Sequence, residues 1–261
     1  MKDILTEILA HKQKEIAVQQ ATVPASFLES QLEILPPAHS MKQSLIDSPT
    51  GIIAEFKRRS PSKDWINRTA NASLIPLQYA KAGAAAVSIL TDEQFFGGGL
   101  QDIREARPLI NIPILRKDFV ISYYQLLQAK VTHADAILLI AAALSEKECR
   151  TLAYQAHELQ LEVLLEVHHE NELGHINEYI DMIGINNRNL KTFHTDIDNS
   201  FQLAQLLPKD RVLVSESGIS SPDIIRSLRQ IGFQGFLIGE TFMKTAEPGN
   251  TLQQFIKNIA L

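Results

Sequence analysis

Ile52-Ile53-Ala54-Glu55-Phe56-Lys57-Arg58-Arg59-Ser60 decides how this chain folds. A short apolar run, Ile52-Ile53-Ala54, gives way to charges and not to a Gly-x-Gly-x-x-Gly turn. A strand apolar on both faces belongs in a buried parallel sheet. The missing glycine fingerprint argues against an open, doubly wound sheet that binds a dinucleotide. Seven similar runs come later in the chain, at residues 85–90, 112–115, 136–140, 163–165, 182–185, 212–214 and 236–238. Between them lie stretches of helical spacing, among them 74–81, 123–130, 145–159 and 222–230, with Ser145 and Ser221 placed as N-caps. Eight β-α units in about 210 residues predict an α/β fold, a closed (β/α)8 TIM barrel.

The first 50 residues have a different rhythm. Ile4, Ile8, Leu9 and Ile16 recur at helical spacing with polar Lys12, Lys14 and Glu15 between them, which predicts an amphipathic helix over 1–21. Pro24, Pro36 and Pro37 punctuate the next stretch, with a short helical piece over 27–34. The 261 residues read as a single domain, with an N-terminal helical extension over 1–50 and the barrel over 51–261.

Composition narrows the functions. The chain is 45% apolar and 21% charged, ordinary globular usage that excludes a disordered tail or a collagen-like fibre. Thirty acidic against 25 basic residues give a formal charge of -5, so there is no global basic field for nucleic acid. The longest apolar run, 136–144, is far short of the about 20 residues that span a bilayer, and no membrane segment is expected. A lone Cys149 excludes an internal disulfide. With no signal-like N-terminus, the expected compartment is the reducing cytoplasm. His168 and His169 lack companions at metal-ligand spacing, so no metal is expected. No heptad seam is present, and a monomer is expected.

In such a barrel the active site forms at the C-terminal ends of the strands. Glu55, Lys117 and Glu166 end the first, third and fifth runs. Odd strands feed one layer, so the three side chains converge. A lysine beside two carboxylates suits general acid–base catalysis, and it suits a buried structural ion-pair network equally well. Ser217-Gly218-Ile219 and Ile238-Gly239-Glu240 end the last two runs. Glycines there let backbone N–H groups approach a phosphate; two tight turns that merely need glycine are the plainer reading. Lys57, Arg58, Arg59, Lys63, Arg116, Lys117 and Arg188 make the mouth of an acidic protein basic, which fits a small anion. Lys57, Lys117 and Arg188 are placed to point inward, while Arg58, Arg59 and Lys63 suit the surface or pairing with acids.

The motifs run in order from Ile53 to Phe242. They are Ile53-Ala54-Glu55-Phe56-Lys57-Arg58-Arg59-Ser60-Pro61-Ser62, Thr91-Asp92-Glu93-Gln94-Phe95-Phe96, Leu115-Arg116-Lys117-Asp118-Phe119, Leu165-Glu166-Val167-His168, Ile185-Asn186-Asn187-Arg188-Asn189-Leu190, Ser215-Glu216-Ser217-Gly218-Ile219 and Leu237-Ile238-Gly239-Glu240. Together they resemble indole-3-glycerol-phosphate synthase, an enzyme family of tryptophan biosynthesis. The resemblance implies a carboxy-lyase that needs no cofactor and no metal. Its phosphorylated small-molecule substrate, 1-(2-carboxyphenylamino)-1-deoxyribulose 5-phosphate, closes a ring, loses carbon dioxide and then loses water. On the same resemblance Lys117 is the general acid, Glu166 serves the dehydration, and Glu55 and Lys57 support the charge network. Ser60, Asn186 and Arg188 lie near the carboxylate and sugar hydroxyls, and Glu216 near the sugar or the lysines. Ser217, Gly218, Gly239 and the Glu240 backbone hold the phosphate. Phe119, Phe95 and Leu139 are candidates for the aromatic slot.

Three positions depart from the family pattern. Asp64 and His133 stand where glycine is common, and histidine costs free energy if its position needs φ > 0. Glu240 stands where a small hydroxyl residue is common, and its side chain is expected to turn away from the phosphate. Other readings stay open: another phosphosugar barrel enzyme, a Schiff-base lysine at Lys117, or a non-catalytic phospho-ligand-binding barrel. Phosphoribosylanthranilate isomerase needs a cysteine at a strand end, whereas Cys149 falls in an expected helix.

Overall fold

Ile53 pairs with Leu237 on one side and with Ala86 on the other, and that double partnership closes the sheet. The structure, a computed structural model, describes residues 4–32 and 38–259. Ten strands are described: β1 (Ile52–Phe56), β2 (Arg59–Ser60), β3 (Asp64–Trp65), β4 (Ala86–Leu90), β5 (Ile114–Lys117), β6 (Ala136–Ile140), β7 (Glu162–Val167), β8 (Met182–Asn186), β9 (Val212–Glu216) and β10 (Phe233–Ile238). β1 and β4 to β10 form one closed parallel barrel in sequence order. The eight apolar runs are these eight strands. β2 and β3 make a small hairpin in the first loop that no apolar run announced.

Strand alternation divides the core. Ile53, Leu115, Leu138, Leu164, Met182, Val214 and Leu237 fill the barrel. Ile52, Ala54, Val87, Ile89, Ile137, Leu139 and Leu165 face the helices outside.

The N-terminal segment packs against both ends of the barrel. Helix α1 spans Ile4–Thr22, α2 spans Ala25–Glu29 and α3 spans Met41–Asp47. Met41 and Leu45 of α3 are buried with the barrel interior beside Ala86 and Val212, at the strands' N-terminal ends. Each such burial contributes roughly 1.5–3 kcal/mol. Leu5 and Ile8 of α1 join the same interior cluster from the opposite end. The first three residues of the expected helix, the last two of the expected piece over 27–34, and the punctuating Pro36 and Pro37 lie outside the described residues.

Lys12 corrects the expected polar face of α1. It is 0% exposed because Leu5, Ile8, Lys12 and Ile16 form one buried stripe. Its Nζ lies 2.8 Å from Asp92, 3.0 Å from Asp118 and 3.0 Å from Glu15. Burial opposes its charge, but Asp118 and Asp92 outweigh it and hold the ammonium above its ordinary pKa.

Ser145 caps its helix through the Glu148 N–H, and the Glu148 carboxylate accepts from Ser145 N in return. Ser221 makes no such bond. Pro222 at the first helical position has the required φ preset and no N–H of its own. Asp64 (φ 54) and His133 (φ 62) both adopt the left-handed conformation that glycine would take freely.

Candidate active site

Glu55, Lys117, Glu166 and Glu216 end β1, β5, β7 and β9, the four odd strands of the barrel. Alternate strands contribute to one layer, so four ionisable side chains meet at one level. Lys117 Nζ lies 3.2 Å from Glu166 Oε2 and 3.6 Å from Glu216 Oε2. Lys57 Nζ lies 2.6 Å from Glu55 Oε1. Two glycines make the space. A Cβ at Gly184 would stand 2.2 Å from Glu216 Oε1, and one at Gly239 would stand 2.2 Å from Glu55 Oε1.

Burial and neighbours set the protonation. Burial disfavours the Lys117 ammonium, but Glu166, Glu216 and Glu55 prevail and hold it above its ordinary pKa. Burial likewise opposes the Glu55 and Glu166 carboxylates. Lys57 and Lys117 win at Glu55, and Lys117 and His168 win at Glu166, so both fall below their usual range. Glu216 goes the other way. Burial outweighs Lys117, Glu166 and Glu55 add repulsion, and it is pushed up to about 8. The surroundings therefore favour the ammonium at Lys117, carboxylates at Glu55 and Glu166, and the carboxylic acid at Glu216.

A cavity of about 340 Å³ opens over this layer. The thirteen residues singled out from the sequence, Glu55, Lys57, Ser60, Lys117, Phe119, Glu166, Asn186, Arg188, Glu216, Ser217, Gly218, Gly239 and Glu240, all line it. Its apolar wall differs from expectation. Phe119 is there, 6.0 Å from Phe96 ring to ring. Phe95 instead meets His11 edge-on at 5.7 Å, on the far side of its short helix. Leu139 points into the outer core, because it is one residue out of phase with Leu138. Ile4, Leu5 and Ile8 of α1 complete the wall.

At the rim, Ser217 (φ 65) and Gly218 (φ 79) are consecutive positive-φ residues, and both line the cavity. Arg188 crosses the rim. It donates to Ser62 Oγ at 3.0 Å and to Thr195 Oγ1 at 3.3 Å, and its Nη2 lies 3.4 Å from Glu240 Oε2. The Glu240 side chain therefore stays at the cavity and leans on Arg188, with Lys63 3.9 Å away, instead of turning clear. Asn186 Oδ1 accepts the Arg188 N–H and fixes that turn.

The remaining cations are engaged. Arg58 grips Asp102 with two bonds of 2.7 Å. Arg59 pairs with Asp64, whose carboxylate is outside the cavity lining. Arg116 is buried on Asp118 and the Gln125 carbonyl. Cys149 is buried in the helix Glu146–Glu158, away from the cavity, and burial pushes its thiol up to about 11. Lys12, Phe96 and Gly184 carry no site role in the sequence, and His168 enters there only as a polar group past the fifth run that lacks companions for a metal. Only Lys12 left a usable signal, its four-residue spacing from both Ile8 and Ile16.

A lysine pinned among carboxylates at the mouth of a closed (β/α)8 barrel places the chain with the TIM-barrel enzymes. A model of the indole-3-glycerol phosphate synthase family matches residues 5–255, and the chain belongs to that family. An indole-3-glycerol phosphate synthase of Bacteroides thetaiotaomicron is 60% identical over 259 residues, covering 99% of this chain and 100% of its own. One from Acidithiobacillus ferrooxidans is 40% identical over 258 residues, covering 97% and 98%. Among solved structures, a chain of the tryptophan synthase α2β2 complex of Pyrococcus furiosus superposes with TM-score 0.61 at 13% identity. It covers 81% of this chain and 98% of its own, a likeness of fold alone.

Proposed function

We propose that the cavity converts 1-(2-carboxyphenylamino)-1-deoxyribulose 5-phosphate to indole-3-glycerol phosphate, carbon dioxide and water. The observation that carries this is the Lys117–Glu166 contact of 3.2 Å inside the cavity, in a chain of this family. The aromatic carbon bearing the carboxylate attacks the ketone carbon, and Lys117 gives its proton to the developing alkoxide. The electron pair of the breaking C–CO2 bond then neutralises the iminium as carbon dioxide leaves. Dehydration protonates the new hydroxyl and removes a proton from the carbon beside nitrogen. Glu166 takes that proton. Glu216, kept neutral and 3.6 Å from Lys117, reloads the lysine for the second donation. Two protons are given, one is recovered, and solvent supplies one per turnover, matching the carboxylate lost as neutral carbon dioxide.

Phe119 and Phe96 flank the aromatic ring. The rim at Ser217, Gly218, Gly239 and Glu240 takes the phosphate, and Arg188, Asn186 and Ser60 meet the hydroxyls and carboxylate. We read the enzyme as a cytoplasmic monomer, and light scattering of the purified protein tests its association state. No described helix is long and apolar enough to cross a membrane. The direct test mixes the protein with the substrate and follows indole fluorescence together with released carbon dioxide. Both rising together supports the reading. Saturable binding with neither signal favours the non-catalytic phospho-ligand barrel.

A further inference from the structure

His168 lies just past β7, two residues beyond Glu166, and is 4% exposed. Neither ring nitrogen has a partner at close hydrogen-bond geometry, yet both face carboxylates. Nε2 is 3.4 Å from Glu166 Oε1, and Nδ1 is 3.8 Å from Glu172 Oε2. The surrounding backbone is held. Glu172 Oε2 accepts the His168 N–H at 2.6 Å, and Asn199 Nδ2 donates to the His168 carbonyl at 3.1 Å. His168 is outside the cavity lining, so it stands behind Glu166 and not beside the substrate.

The two oxygens of Glu166 thus have different cationic neighbours, Lys117 on Oε2 and His168 on Oε1. A buried imidazole is costly unless its nitrogens are paired, and here a carboxylate stands at each of them. The groups facing it are Glu166, Glu172 and Lys117, with the His169 ring 6.3 Å away. Those facing Glu166 are Lys117, His168 and Glu216. Burial lowers the basicity of His168, but Glu172 and Glu166 outweigh burial and Lys117 and hold it above its ordinary value.

We propose that His168 is a positioning residue for Glu166: its imidazolium holds Oε1 from behind while Lys117 engages Oε2 in front, which keeps the carboxylate ionised and aimed at the substrate until it accepts a proton. This rests on the acid–base role proposed above for Glu166.

The test compares single-turnover rates against pH for the wild type, His168→Gln and Glu166→Gln. Removing a cation beside a carboxylate lifts that carboxylate's pKa by about one unit or more. His168→Gln should therefore move the acid limb of the profile upward by about that amount. At a pH on that limb the rate falls on the order of tenfold, while KM stays close to wild type. An unmoved limb, or a loss of rate equal at every pH, overturns the proposal. Glu166→Gln separates the two readings. If it is inactive while His168→Gln keeps the wild-type limb, only the role of His168 fails. If Glu166→Gln keeps turnover, both fail. Nitrogen-15 histidine spectra of the wild type and Glu166→Gln do not depend on how the His168 variant folds. They should show one imidazolium persisting above the ordinary histidine range that loses its proton more readily in Glu166→Gln. The absence of any such signal overturns the proposal.

Discussion

Gly239 and Glu55 share one space: a Cβ on the glycine would stand 2.2 Å from Oε1 of the glutamate and 3.1 Å from its Cβ. The glycine after β10 therefore serves the charge network as well as the rim. Gly239→Ala should displace Glu55, and with it Lys57, whose Nζ sits 2.6 Å from that same oxygen. A Cβ at the rim should also crowd the phosphate, so steady-state kinetics should show KM rising and kcat falling together. A rise in KM alone would confine Gly239 to the rim.

Lys12 ties the extension to the catalytic strand. Its partner Asp118 follows Lys117 directly, and Asp92 lies two residues past the end of β4. Removing one partner of a buried ion cluster typically costs about 3–5 kcal/mol. Lys12→Met should therefore lower the urea midpoint substantially. It should also weaken substrate binding, because Leu5 and Ile8 on the same stripe line the cavity. An unchanged midpoint would mean the cluster is energetically idle.

Glu216 gives stability a pH signature. The folded chain keeps a proton to about 8 that the unfolded chain releases near 4.5. The folded state then binds more protons than the unfolded between those values. The stability from this group is complete below 4.5 and is lost as the pH climbs to about 8. Glu216→Gln cannot ionise. Between about pH 5 and about pH 9 the wild type should lose more stability than Glu216→Gln in urea titrations. Parallel losses would show that Glu216 is already ionised at neutral pH.

Cys149 should be inert. Its buried thiol has a pKa of about 11, and the thiolate is the reactive species. Maleimide should label the unfolded chain and leave the native one unmodified. Rapid native labelling would contradict the burial.

The barrel was legible because its strands are apolar on both faces, a pattern that solvent-facing strands do not produce. The candidate-site residues were legible because polar groups and glycines at strand ends interrupt that pattern, and the structure brings the thirteen to one cavity. The features that escaped depend on contacts distant in sequence. A lysine in a helix reads as solvated, and aspartates from two distant loops, with Glu15, make burial of Lys12 possible. Leu138 and Leu139 are equally apolar, and which one faces inward is set by barrel register. Phe95 and Phe96 differ only by the turn of a short helix. The neutrality of Glu216 arises from separate strands meeting, which no local window contains.

The most direct measurement is single-turnover indole formation by Lys117→Ala beside the wild type, with circular dichroism and the urea midpoint confirming the fold. Turnover should be lower on the order of a hundredfold or more, as expected when a general acid is removed, with substrate still bound. Turnover within a few-fold of wild type in the folded variant would contradict the role of Lys117, and with it the chemistry assigned to the cluster.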